Sequence, residues 1–304
     1  MSNRIAILQA RPSGYQHAAA FNEIAIGLKG GFAELGYSAT ITDNQIVPNA
    51  RHVVLGGHLL SIASLMSLPE DTVIYNFEQL SETNWTLSDP YKQALCQFEV
   101  WDYSPRNIEF LKRLRGDENV KHVPLGFAED LCRIPERDEQ EIDVLFYGMV
   151  NERRQKVITE LQASGLNVTA VTGVYGAKRD GMISRSKVVL NMHYFETQIF
   201  EIARVSYLLA NKKAVVSEVA DSTQIDPILL ECIQPARYDS LVETCQNLVS
   251  DTLRRQELGR RGHEIFKNMK QADYLQVALG SENVPSQSQA FPRLLHSKAS
   301  AAAR

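Results

Sequence analysis

The sequence predicts an α/β protein of two Rossmann-like doubly wound domains facing a cleft, and three observations carry that expectation. Short β-branched apolar runs alternate with amphipathic helical stretches through both halves of the 304 residues. Between the halves, residues 129–141 (EDLCRIPERDEQE) are charged, contain Pro135 and lack a periodic apolar face, as an interdomain linker would. Residues 187–218 (KVVLNMHYFETQIFEIARVSYLLANKKAVVSE) read as strand, polar loop, helix, strand, the pattern of a parallel βαβ unit. Length agrees, because a single hydrophobic core stops growing at roughly 250–300 residues. The expected boundaries are 1–128 for the first domain, 129–141 for the linker and 142–279 for the second domain with its closing helices. A Ser-, Gln- and Ala-rich tail, 280–304, is expected to be disordered.

In the first half the strands fall at 4–9, 38–42, 52–55, 72–75, 99–102 and 120–123. A helix is expected over 18–35, stopped by Gly36, and a short one over 59–66. Ser104-Pro105 supplies an N-cap and a first-turn proline for another, through 107–115. The second half opens with IDVLFY, residues 142–147, a buried-strand pattern stopped by Gly148. Helix 152–163, strand 166–172 and helix 177–184 lead into the βαβ unit, and helices 239–249 and 253–270 follow.

Composition excludes several classes of function. Hydrophobic content of 44% and a formal net charge of −4 describe an ordinary globular protein without bulk attraction for nucleic acid. No run of 18 apolar residues is present, so no transmembrane segment is expected, and the start of the chain lacks a signal-peptide core. The four cysteines show neither CxxC nor metal-ligand spacing and read as reduced thiols of a cytoplasmic protein.

Polar residues gather where strands end, which is where open α/β sheets bind ligands. In the βαβ unit these are Asn191, His193, Tyr194 and Glu196, with Glu201 and Arg204 three apart early in the helix. After the strand 142–147, Gly148 allows a tight turn and Asn151, Arg153 and Arg154 open a helix whose free N–H groups suit an anion. Adjacent helical residues diverge by about 100°, so one of the two arginines is expected to face the crevice. Tyr175, bracketed by Gly173 and Gly176, offers a ring for a base. In the first half, Ser13, Gly14 and Tyr15 form an acceptor-side loop, while His58 and Glu78 follow the third and fourth strands and together could act as a general base. His193 and Glu201 without a third ligand at usable spacing do not make a metal site.

The segments IYNFEQ (74–79), FEVWDYSPRNIEFL (98–111), HVPLGF (122–127), DVLFYGMVNERRQKVI (143–158) and LNMHYFETQIFEIARVSYLLANKKAVVSE (190–218) resemble GT-B glycosyltransferases, in particular a bacterial branch related to the spore-maturation CgeB group. The resemblance covers about residues 53–266 and is most specific in the second half. It implies a nucleotide-sugar donor held mainly by the second domain, a glycan, lipid-linked or protein acceptor held by the first, and transfer without a metal or other cofactor. It also implies that Asn151, Arg153 and Arg154 approach phosphates and Tyr175 the base. His193, Glu201 and Arg204 would contact ribose, diphosphate or sugar. The chain departs from the pattern of two glutamates eight apart: Glu196 and Glu201 are five apart, and Tyr207 takes the later position. Two other readings keep the fold, a non-catalytic binding module in glycan assembly and a sugar-nucleotide epimerase. All rest on a cleft in which Arg153, Arg154 and Arg204 converge on a pyrophosphate.

Overall fold

A computed structural model of the protein describes residues 3–80, 88–117, 119–194 and 200–280. The first lobe is a six-stranded sheet of β1 (Arg4–Gln9), β2 (Ser38–Asp43), β3 (Arg51–Leu55), β4 (Val73–Asn76), β5 (Glu99–Asp102) and β6 (Val120–His122). Its order is β2-β1-β3-β4-β5-β6 and every pairing is parallel. Helices α1 (Asn22–Glu34), α2 (Ile62–Met66), α3 (Asp89–Gln97) and α4 (Pro105–Arg115) cover it. The second lobe has β7 (Ile142–Tyr147), β8 (Val168–Val171), β9 (Ser186–Asn191), β10 (Val215–Glu218) and β11 (Gln234–Ala236), in the parallel order β11-β10-β9-β7-β8. Its helices are α5 (Glu152–Ala163), α6 (Gly176–Ser184), α7 (Ile202–Ala210), α8 (Pro227–Leu230), α9 (Leu241–Ser250) and α10 (Thr252–Lys267), and the chain then enters α11 (Gln271–Ala278).

Parallel strands covered on both faces need continuous apolar runs, and β1, β3, β4 and β10 are buried almost end to end. Strand order reverses between β1 and β3 in one lobe and between β7 and β9 in the other. At such points the loops diverge and leave a crevice beyond the strand ends. Cap chemistry sets several helix starts: the Ser104 hydroxyl accepts from the Asn107 N–H, Pro105 occupies the first turn, and Gly116 ends α4 with φ 69°. The expected helix 18–35 begins instead as a 3-10 turn at Gln16–Phe21 before α1. Helices α3, α8 and α11 and strand β11 have no counterpart in the sequence expectation. Strand β11 is QPA, three residues with a proline at the sheet edge, too short to show a period.

One apolar cluster runs from Phe32 and Trp101 through Phe127 and Leu131 to Val205 and Leu209, so the two lobes share a core. The segment 129–141 is fastened rather than loose. Leu131 and Ile134 are buried, and the Asn211 side chain accepts from the Arg133 and Ile134 N–H groups, each at 2.8 Å, and donates to the Leu131 carbonyl. Helix α11 returns to the first lobe. Its Gln271 Oε1 accepts from the Gly126 N–H at 2.8 Å, its Ala278 carbonyl accepts from Lys121 Nζ at 2.7 Å, and neighbouring Lys270 pairs with Glu34 of α1.

Helix α10 passes close to the second lobe because it lacks side chains at the crossing. A Cβ added at Gly262 would stand 2.5 Å from the Cys232 carbonyl oxygen, which is backbone and cannot swing aside. Gly262→Ala is therefore expected to cost about 1–3 kcal/mol by overpacking, read as a lower urea midpoint. An unchanged midpoint would mean the crossing is looser than described.

Candidate active site

Between the lobes lies a cavity of about 390 Å³ walled by both. The first lobe contributes Phe21, Glu23 and Ile24 around the start of α1, Phe77 and Glu78 after β4, and Tyr103 after β5. The second lobe contributes Tyr147 and Gly148 at the end of β7, Gly173 to Tyr175 after β8, Arg179 of α6, and Glu201 to Arg204 at the start of α7. Both walls are loops at strand carboxyl ends, which all-parallel sheets bring to one rim.

Arg204 is the cation most open to a ligand here. Its Nη1 donates to Asn191 Oδ1 at 2.5 Å, and the guanidinium lies 5.6 and 5.4 Å from the Phe146 and Tyr147 ring centres. Its Nε is buried without a hydrogen-bond partner. Gly148, with φ 148°, is what allows this: a Cβ there would stand 2.8 Å from Arg204 Nη2. Beside it, Glu201 lies with Oε2 at 3.1 Å from His193 Nδ1 and Oε1 at 3.5 Å from Arg154 Nη2. Burial works to raise the Glu201 pKa, but His193, Arg204 and Arg154 together hold the carboxyl below its usual range.

Arg204 is the one arginine of the expected trio that lines the cavity. Arg153 is drawn into a two-point pair with Glu218 and lies 3.8 Å from the Tyr238 ring centre. Arg154 is 3% exposed and donates to the carbonyls of Met149, Met192 and His193. Burial foremost, with Arg204 nearby, lowers its pKa to about 10. Asn151 caps α5, accepting from the Arg154 N–H at 3.0 Å, and donates to the Tyr194 carbonyl, while the Tyr194 ring lies 5.1 Å from the Arg154 guanidinium. The expectation that 151–154 reaches phosphates is thus corrected: its polar groups clamp the loop that follows β9. The Met192 and His193 carbonyls of that turn accept from Arg153 and Arg154. His193 is 1% exposed and inside the second lobe. Glu196 lies outside the described residues, as does the tail from residue 281.

On the first lobe, Glu78 lines the cavity and its Oε1 is 3.3 Å from His58 Nδ1. Burial pushes the His58 pKa down, with Glu78 opposing. Tyr175 lines the cavity too, but its hydroxyl meets His17 Nδ1 of the first lobe at 2.8 Å. Of the loop 13–15, Ser13 borders a separate cavity of about 410 Å³ on the first lobe with Arg11 and Asn44, Gly14 turns with φ 77°, and Tyr15 is exposed. The expected acceptor loop therefore opens beside the cleft, not into it.

No family model matches the chain. An uncharacterised protein of Acanthamoeba polyphaga mimivirus is 30% identical over 183 residues, 59% of this chain and 62% of its own length. A second from the same virus is 26% identical over 161 residues, 51% of this chain and 21% of its own. The match thus spans less than two thirds of either relative. Among solved structures, HepE of Anabaena, in complex with UDP and glucose, superposes with a TM-score of 0.59 at 12% identity, over 91% of this chain and 99% of that one. The β-glucosyltransferase of T4 phage gives 0.58 at 12% identity, over 90% and 99%. WaaG, a glycosyltransferase involved in lipopolysaccharide biosynthesis, gives 0.54 at 10%, over 90% and 98%. These are GT-B structures, matched here almost end to end. The chain has the GT-B fold.

Two features of this GT-B cleft are absent from the sequence expectation. Arg179 bridges the lobes, pairing through Nη1 and Nη2 with both carboxylate oxygens of Glu23 at 3.1 and 2.8 Å and with Asp180 at 2.8 Å. Its guanidinium lies 4.7 Å from the Tyr207 ring centre, and the Tyr207 hydroxyl donates to Asp180 Oδ2 at 3.0 Å. Nothing local announces this, since Lys178-Arg179-Asp180 reads as a solvated helix face and Glu23 lies 156 residues away. The other is Asp102, fully buried at the end of β5, which accepts from Asn76 Nδ2 at 2.6 Å, Asn107 Nδ2 at 3.0 Å and the Ser104 N–H at 2.8 Å. Asn76 and Asn107 also donate to the Glu78 carbonyl, so Asp102 fixes the loop that carries Glu78. An acid closing an apolar strand, as in EVWD, was the signal available for it.

Proposed function

We propose that the protein transfers a glycosyl group from a nucleoside-diphosphate sugar to an acceptor hydroxyl. The observation that carries this reading is Arg204: a cation with a buried, unpartnered Nε, on the wall of a cavity between two GT-B lobes. Such a group is costly to leave without an anion and is worth most where negative charge develops. As the bond to the anomeric carbon breaks, that charge grows on the leaving diphosphate. Arg204 and the N-terminal end of α7 supply the compensating field, so transfer needs no divalent ion. Glu201, pinned by His193, keeps Arg204 flanked by a fixed carboxylate. The structures of HepE with UDP and glucose, and of T4 β-glucosyltransferase with its UDP-glucose substrate, make uridine diphosphate the first nucleotide to try. Glu78 of the first lobe and Glu201 of the second line the cleft, with His58 at 3.3 Å from the one and His193 at 3.1 Å from the other.

Calorimetric titration with uridine, guanosine and adenosine diphosphates tests the reading. One of them is expected to bind, and Arg204→Ala to weaken it by about 1.5–3 kcal/mol, roughly 10- to 100-fold. Release of that nucleotide from its sugar conjugate is expected to survive excess EDTA. Failure of all three nucleotides to bind the wild type would remove the proposal. A non-catalytic binding module is the second reading, favoured by Tyr207, whose hydroxyl is engaged by Asp180 where the family pattern has a glutamate. It predicts nucleotide binding with no transferred product.

A further inference from the structure

The charges on the cleft wall are unevenly compensated. Among its described lining residues the carboxylates are Glu23, Glu78 and Glu201, the cations are Arg179 and Arg204, and there is no lysine or histidine. Three histidines stand behind the wall, His17 against Tyr175, His58 against Glu78 and His193 against Glu201. Arg179 is saturated by Glu23 and Asp180, to which it donates through Nε, Nη1 and Nη2. Glu201 has His193, Arg204 and Arg154 about it. Glu78 stands apart from these on the first lobe. Among the described residues its carboxyl meets His58, at 3.3 Å, and burial pushes the His58 pKa below its usual value. That imidazole is neutral near neutral pH, so the charge of Glu78 has no cation.

The backbone under Glu78 is fixed. Asn76 and Asn107 each donate to its carbonyl at 2.9 Å, and its N–H donates to Asn76 Oδ1 at 3.2 Å. On the same wall Tyr103 stacks on Phe77, with ring centres 5.4 Å apart and planes 13° from parallel. Phe77 is backed in turn by Tyr75 at 4.5 Å and Phe21 at 6.0 Å. No other described ring packs on Tyr103. Burial foremost, then the charges of Asp102, Glu201 and Glu78, raise the Tyr103 pKa. Its hydroxyl therefore stays protonated, in the field of a cleft carboxylate from each lobe. A sugar joined to a diphosphate at Arg204 lies in this same cavity of about 390 Å³, between Glu201 of one lobe and Glu78 and Tyr103 of the other. Sugar hydroxyls are donors that a carboxylate accepts, and the C–H face of a pyranose packs on an aromatic ring. A sugar with its own carboxylate would instead bring like charges together in a partly desolvated space.

We propose, resting on the reading of the cleft as a donor site, that the transferred group is a neutral pyranose, packed on the Tyr103 ring with its hydroxyls donating to Glu78. Glu78 thereby turns away acidic sugars. Both residues set specificity from the lobe opposite the diphosphate. Once Arg204 holds the diphosphate and Arg179 its two carboxylates, no described lining cation is left to receive a uronate. Selection against charge is the larger effect, and the ring supplies the smaller one.

The test titrates the full chain calorimetrically with uridine, guanosine and adenosine diphosphates, then with the glucose and glucuronate conjugates of the one that binds. The two conjugates differ only at C6, a hydroxymethyl in one and a carboxylate in the other. In the wild type the glucose conjugate is expected to bind at least about tenfold more tightly than the glucuronate. Glu78→Gln keeps the shape and an acceptor oxygen but no charge, and there the ratio is expected to fall to about threefold or less. Tyr103→Leu is expected to weaken the glucose conjugate about three- to tenfold, and Tyr103→Phe to restore it. Affinity for the bare diphosphate is expected to match the wild type in every variant, which also shows them to be folded. Equal affinity of the wild type for the two conjugates overturns the charge filter. A ratio unchanged in Glu78→Gln overturns the role of Glu78, and a glucose affinity unchanged in Tyr103→Leu overturns the ring platform. Each of these leaves the donor reading intact, whereas failure of all three diphosphates to bind overturns both.

Discussion

Replacing Arg179 with methionine is expected to destabilise the protein by about 3–5 kcal/mol, because removing one member of a buried pair strands the other charges. Glu23 and Arg179 are 7% and 5% exposed, and Asp180 is 8% exposed beside them. Burial alone would make the guanidinium easier to deprotonate. The Glu23 carboxylate outweighs that effect, and Arg179 stays charged. Methionine matches the length and apolar stem of arginine but leaves two carboxylates without a cation. Urea unfolding checks the value, and Glu23→Gln combined with Arg179→Met should show a coupling above about 1 kcal/mol. A midpoint shift below about 0.5 kcal/mol would mean that water, not the partner, solvates the pair. The bridge also bears on the cleft, since both residues line it and Arg179 meets any ligand already neutralised.

The second large effect is a pH dependence centred on Asp102. Complete burial pushes its carboxyl up to about 7, against the hydrogen bonds from Asn76, Ser104, Asn107 and Tyr103. In the unfolded chain an aspartate titrates near 3.9. Between those values the folded protein keeps a proton that the unfolded chain has lost. The contribution to stability is thus fully present below about pH 4 and lost as pH rises through about 7. Glu99, Asp143 and Glu201 are held low and pull the whole curve the other way, so the informative quantity is a difference. Stability of the wild type relative to Asp102→Asn is expected to fall by about 1.4 kcal/mol per pH unit across that window, roughly 4 kcal/mol in all. Denaturant titrations at pH 4, 5.5 and 7 measure it. A flat difference would show Asp102 to be ionised throughout.

The two sheets were legible because their central parallel strands, buried on both faces, leave short apolar runs, and the glycines, prolines and polar loops that bound those runs set them apart from helices. Gly36 and Gly148 marked where elements stop, since each holds a backbone conformation with positive φ that other residues resist. What was illegible was partnership. Arg153 and Arg154 occupy a place in the chain where cations meet phosphates, yet Glu218, 65 residues on, and the carbonyls after β9 take them. Arg204, by contrast, stays open to the cleft through Gly148, 56 positions earlier, a dependence that spacing along the chain cannot express. His193, which sequence placed at the site, is buried inside the second lobe.

The return of α11 to the first lobe sets an order of assembly. Gly126, Lys121 and Glu34 acquire their last partners from residues 270–278, so the opening lobe stays unfinished on the ribosome until those residues have emerged. A fragment ending at the midpoint would expose the α1 face that this final helix covers. The halves of this molecule are thus separable on paper but not in synthesis: the first to be made is the last to be completed.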